Sequence, residues 1–200
     1  MDAFEGVVSE ILWRKGYWVQ TSLKVDLTKA EKVAIGRPSS PRWEIDVVGY
    51  SGRRNELLVV ECKSYLDSMG VSFSAFDRSD EKLAGRFKLF NDRVLWDVVR
   101  NRLCRQLFEC GLITEQPNVR LALVCGKIIR PKDRQLLKER FDQKGWLLGD
   151  DRWLRAKLQE LADGGYENSP VAVTAKLLLR DAAPGNSGAV APNFQVPATA

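Results

Sequence analysis

Trp43-Glu44-Ile45-Asp46-Val47-Val48-Gly49-Tyr50, followed after a six-residue connection by Leu57-Leu58-Val59-Val60-Glu61-Cys62-Lys63, decides how this chain is read. Both runs are apolar and β-branched, and the connection Ser51-Gly52-Arg53-Arg54-Asn55-Glu56 is rich in turn formers, so the pair predicts a β-hairpin. If Tyr50 pairs with Leu57, the antiparallel register sets Asp46 opposite Glu61, with Cβ atoms roughly 4.5–5.5 Å apart. Residues two apart on a strand share a face, so Glu61 and Lys63 point the same way. A slip of one residue would separate the three.

Two carboxylates opposed on a sheet repel, and the surrounding Val and Leu worsen this by desolvation. A divalent cation resolves the conflict: Mg²⁺ takes oxygen ligands, often one or two carboxylates, and leaves positions for water and phosphate oxygens. Lys63 beside it would orient or deprotonate a water, or stabilise charge developing on a phosphate. The structural alternative is a solvent-facing ladder of Glu44, Asp46, Glu61 and Lys63. Two features weigh against it. Asp is a poor strand former, yet Asp46 lies inside a strong β run. Val59-Val60-Glu61-Cys62 reads as a central, buried strand, where an unpaired carboxylate needs a reason.

Working outward, Phe4, Val7, Val8, Ile11 and Leu12 recur at helical spacing, and Gly16 is placed to stop a helix over residues 3–15. Residues 17–25 alternate as a strand, and 26–42, with Gly36, Pro38 and Pro41, read as a loop. Residues 64–90 carry glycines and mixed charges and are longer than a minimal core needs, so a recognition insertion is expected there. A helix over 91–110, a strand over 119–125, a helix over 131–143, a short strand at 146–148 and a helix over 151–162 follow. Asn168-Ser169-Pro170 caps a last helix over 168–180, and 181–200 have the composition of a disordered tail. The order predicts one α/β (α+β) domain over 1–166 with a central mixed sheet flanked by helices.

Composition removes whole classes of chemistry. Histidine is absent, which excludes Ser-His-Asp and Cys-His catalysis and His-ligated zinc. The four cysteines, Cys62, Cys104, Cys110 and Cys125, form no CxxC pair and read as reduced structural residues. The opening Met1-Asp2-Ala3-Phe4-Glu5 lacks the pattern of a secretory signal, and no apolar run approaches the ~18 residues of a membrane span. A soluble, cytoplasmic protein without membrane contact is the expectation. A net charge of +5 suits a polyanionic partner but carries little weight alone.

Asp46, fourteen intervening residues and then Glu61-Cys62-Lys63 resemble the PD-(D/E)xK signature of restriction-endonuclease-like nucleases. Phe4-Glu5, Ile11-Leu12 and Gly16-Tyr17-Trp18-Val19 are similar to the opening of Mrr-like restriction enzymes and archaeal Holliday-junction resolvases. The resemblance spans roughly residues 4–126. It implies a restriction-endonuclease-like core and Mg²⁺- or Mn²⁺-dependent DNA cleavage. It further implies Glu5, Asp46 and Glu61 as metal-linked carboxylates and Lys63 as the catalytic lysine, with Glu10 as the substitute for Glu5. Ile45 stands where the signature has proline, and Gln106 is the nearest candidate for a later glutamine motif, with Glu44 as a second accessory.

Arg100, Arg102 and Arg105, then Lys127 and Arg130, are candidate phosphate contacts if they border the metal site; otherwise they are solvated faces. The tryptophans, Trp96 and Trp146 among them, read as core. Cutting both strands of a duplex with one centre requires two copies or two events, so a homodimer is one expectation. The rival to catalysis is a non-catalytic DNA- or protein-binding module on the same fold.

Overall fold

The computed structural model describes residues 2–39, 42–165 and 167–180. The chain opens in α1 (Ala3–Arg14), where Asp2 and Glu5 close a capping box and Val8, Ile11 and Leu12 are buried. The helix stops as expected at Gly16, whose φ of +78° only glycine adopts freely. Gly16 N–H then donates to Trp13 O and Tyr17 N–H to Leu12 O, satisfying the last carbonyls. Strand β1 (Trp18–Val25) follows.

The stretch expected to be a loop departs from that expectation. It holds α2 (Lys29–Ala34), capped by Thr28, which accepts from Glu31 N–H while Glu31 accepts from Thr28 N–H. The hairpin is β2 (Trp43–Ser51) and β3 (Glu56–Lys63), with Tyr50 opposite Leu57 as read from the sequence. Residues 64–90 contain a single 3₁₀ turn at Phe73–Ala75, the one-turn α3 (Glu81–Ala84) and the start of α4 (Lys88–Asn91). Then come α5 (Arg93–Glu109), β4 (Asn118–Cys125), α6 (Pro131–Lys144), β5 (Leu147–Gly149), α7 (Asp151–Asp163) and α8 (Pro170–Leu179). The tail expected over 181–200 lies outside the described residues.

The five strands form one sheet in the order β1-β2-β3-β4-β5. The first three are antiparallel, whereas β3-β4 and β4-β5 are parallel, each joined by a helical crossover. On β3, Leu57 and Val59 face the core built with Leu95, Val99 and Leu103 of α5 and Leu137 and Phe141 of α6. Leu58 and Val60 face a second core with Val8, Ile11 and Leu12 of α1 and Trp153 and Leu161 of α7. A strand covered on both faces reads as a continuous apolar run, which is why 57–60 show no alternation. Helix α8 joins the second core through buried Ala175, and Lys176 donates to Ala162 O at 3.0 Å. The fold is a mixed α/β sheet with helices on both faces. Among the described residues, no helix is long and apolar enough to cross a membrane.

Candidate active site

The β2–β3 ladder runs from Ser51–Glu56 to Val47–Val60 and ends one step before Asp46 would meet Glu61. There the sheet also turns over. Val47 belongs to the core under α1, but Ile45, two residues away, belongs to the core under α5. On the neighbouring strand Val19 and Leu23 are split between the same two cores, and Ser22 between them has φ of +50°. Pairing skips Ser22 and Asp46, yet Thr21 lies opposite Val47 and Leu23 opposite Ile45, so no residue is inserted. The left-handed conformation at a serine stores about 1–3 kcal/mol.

The half-buried Asp46 side chain works at this turnover. Its Oδ2 accepts the backbone N–H of Cys62 at 2.7 Å, covering a donor on the part of β3 that the ladder has left. Burial, and then the charge of Glu61, push its carboxyl up to about 6; the Cys62 donor and Lys63 oppose the shift, and Glu5 adds to it. Glu61 and Lys63 share a face, as expected, and touch: Lys63 Nζ lies 2.5 Å from Glu61 Oε1. Burial disfavours the ammonium, but the ion pair and hydrogen bond with Glu61 outweigh it and raise the lysine above its ordinary value. Lys63 is therefore a cation at neutral pH and not a ready base.

Glu5 reaches the site from the first turn of α1. Its Oε2 accepts from Ser22 Oγ at 3.3 Å and from Asp2 N–H at 3.3 Å, so the capping residue is also tied to the strained serine. Glu10 is engaged elsewhere, with Arg14 at 2.7 Å. A small cleft lies between the start of α1 and the end of β3, lined by Phe4, Glu5, Cys62, Lys63, Ser64 and Tyr65 among others. Burial, followed by the charges of Asp46, Glu5 and Glu61, pushes the Cys62 thiol far up, which leaves it unreactive.

Ser64 crosses tightly against the next strand. Gly126 N–H donates to Lys63 O at 3.0 Å, and a Cβ on Gly126 would stand 2.1 Å from Ser64 O, so no other residue fits. Lys127 follows and donates to Ser68 O at 2.9 Å, which puts it beside the loop leaving the site. It is the candidate phosphate contact that the fold brings nearest in topology.

The other basic candidates have structural duties. Arg102 donates to Asp26 O at 2.8 Å, and the charge of Arg105 reaches Glu31. Arg100 pairs with Asp97 at 3.5 Å, and Arg130 pairs with the buried Asp133 at 2.7 Å. Gln106 donates to Lys24 O and accepts from Asp26 N–H, both at 3.0 Å, pinning α5 to the end of β1. Glu44 is exposed and lies opposite Lys24. None of these contacts is with Asp46, Glu61 or Lys63. Sequence reasoning missed Ser22, whose backbone conformation leaves no mark in the alternation around it.

Among the described residues, no group of three or more Asp, Glu, Cys or His side chains is gathered closely enough to hold a metal ion. Glu61 is turned onto Lys63, Asp46 onto Cys62 and Glu5 onto Ser22. Glu61 and Glu5 nonetheless both act on Asp46, the charge of each helping to push its carboxyl up. Comparisons with family models, curated proteins and solved structures each return no match.

Proposed function

We propose that this chain is a metal-dependent endonuclease that hydrolyses DNA phosphodiester bonds at the end of β3, on a core of the restriction-endonuclease-like kind. The observation that carries this reading is the position of Asp46, a half-buried carboxylate raised to about 6 and set at a strained turnover of the sheet beside a charged lysine. Strain and crowded charge of this sort concentrate at functional sites.

Mg²⁺ or Mn²⁺, held by Glu5, Asp46 and Glu61, would neutralise these carboxylates, polarise the phosphate and lower the pKa of a bound water. Cys62 N–H fixes one oxygen of Asp46 and leaves the other to bind. Glu61 becomes available when its contact with Lys63 opens. Lys63, being charged, stabilises the negative charge that grows on the phosphate rather than removing a proton. Ser22 and the cap at Asp2 orient Glu5.

A second reading rests on the tight Lys63–Glu61 pair, which neutralises Glu61 without a metal ion. It is a non-catalytic DNA- or protein-binding module on the same fold. Incubating the protein with supercoiled, linear and branched DNA in Mg²⁺, Mn²⁺ or EDTA separates the two. Metal-dependent cutting supports the enzyme; DNA binding with a steep salt slope and no cutting supports the module.

A further inference from the structure

A cavity of about 450 Å³ opens between the segment around Phe76, α4, α5 and α6, sharing no residue with the cleft at Lys63. That volume is within the roughly 300–1,000 Å³ of small-molecule sites. Buried Phe76 and Phe90 form its floor, and Trp96 and Trp146, expected as core, are half-buried and line its wall. Phe90 meets Trp146 edge-on, with ring centroids 5.1 Å apart.

Arg78, Arg93, Arg140 and Lys144 also line the cavity, against only Asp77 and Asp97. These two carboxylates offset part of that charge and are themselves shared with neighbours. Asp77 accepts from Ser79 N–H and Oγ at 2.9 and 2.7 Å, and Asp97 is shared by Arg93 at 3.7 Å and Arg100 at 3.5 Å. The Arg93 side chain is 94% exposed, so its long pair holds it weakly. Among the described residues, Arg140 and Lys144 make no ion pair within 4 Å, although the charge of Arg140 reaches Asp77. Arg78, at φ +64°, donates to Asn91 O and so ties the wall to α4.

Aromatic walls with four cations against two carboxylates match a flat ring carrying an anion. We propose that this cavity binds a nucleotide unit, its base against Trp96 and Trp146 and its phosphate on Arg93, Arg140 and Lys144. Bases stack on aromatic side chains regardless of sequence, and guanidinium groups grip phosphate through paired donors. The unit comes either from a free nucleotide or from an unpaired nucleotide of a DNA strand. The lining from Phe76 to Asn91 overlaps the insertion expected to serve recognition. Cleavage at Lys63 is not required, so this site stands or falls apart from the nuclease reading.

The test is equilibrium binding in EDTA, with deoxyadenosine monophosphate and a fluorescein-labelled ten-nucleotide single-stranded DNA as separate probes. Wild type is compared with Arg93→Glu/Lys144→Glu, both at exposed positions, and with Trp96→Leu, each checked for unchanged melting. Binding of either probe that falls about tenfold or more in both variants supports the site. Competition by the mononucleotide identifies a free nucleotide as sufficient; binding of the strand alone identifies the unpaired strand as the source. Absence of binding by both probes up to millimolar concentration, or equal binding by wild type and both variants, overturns it.

Discussion

Asp46 Oδ2 accepts the backbone N–H of Cys62 at 2.7 Å, a side chain completing a ladder that the two strands have abandoned. The carboxylate is thus held at the end of the central strand by a bond that an amide oxygen can also make. What it cannot shed is its own charge, opposed by burial and by Glu61.

That separates fold from function at this residue. The carboxyl titrates near 6 in the folded chain and near its ordinary value, about 3.9, when unfolded. A raised acid contributes stability that is fully present below the unfolded value and is lost as pH rises through 6. Asp46→Asn removes the charge and keeps the acceptor. In EDTA it is expected to melt about 2–4 °C above wild type at pH 7.5, equivalent to roughly 1 kcal/mol, with the difference shrinking toward pH 4. Melting curves across this range check it; a variant less stable than wild type at neutral pH would contradict it.

Lys63→Ala is expected to keep metal binding and lose activity. The lysine competes for Glu61 at 2.5 Å, so its removal frees that carboxylate. Calorimetric Mg²⁺ titration should give affinity equal to or tighter than wild type, while Asp46→Ala should abolish the heat. Weaker binding in Lys63→Ala would mean that the lysine builds the metal site rather than acting beside it.

Glu5→Gln and Glu10→Gln form a matched pair on one helix. Glu5 is tied to Ser22, whereas Glu10 is spent on Arg14. Only the first is expected to weaken metal affinity, by roughly tenfold or about 1.4 kcal/mol. Equal effects would remove Glu5 from the site.

Gly126→Ala drives a methyl group into Ser64 O, which the backbone crossing cannot yield without moving the exit from β3. A loss on the order of 2 kcal/mol by chemical denaturation is expected. An unchanged midpoint would show that the chain yields at this crossing at little cost.

Much of this arrangement was legible in the sequence. The Tyr50–Leu57 register followed from two apolar runs and a turn with Gly52 and Asn55, and Glu61 with Lys63 followed from strand periodicity. The loop expected over 26–42 gives way to a helix at Lys29–Ala34, where Thr28 and Glu31 form a capping box that the prolines beyond it outweighed in the sequence. The turnover at Ser22 and Asp46 was not legible, because Tyr17, Val19 and Thr21 set an alternation that only backbone geometry breaks. Gln106 matched a motif by position but binds the end of β1, since helix register alone does not say which partner a side chain meets. Trp96 and Trp146 sat in apolar patterns, and half-burial is invisible to periodicity.

The most direct measurement is the rate of supercoiled-plasmid nicking in Mg²⁺ or Mn²⁺ by wild type beside Lys63→Ala. Metal-dependent nicking is expected, stopped by EDTA and reduced about 10²–10³ by Lys63→Ala. A wild type that cuts no DNA form and binds neither ion, while holding DNA with a steep salt dependence, would contradict it.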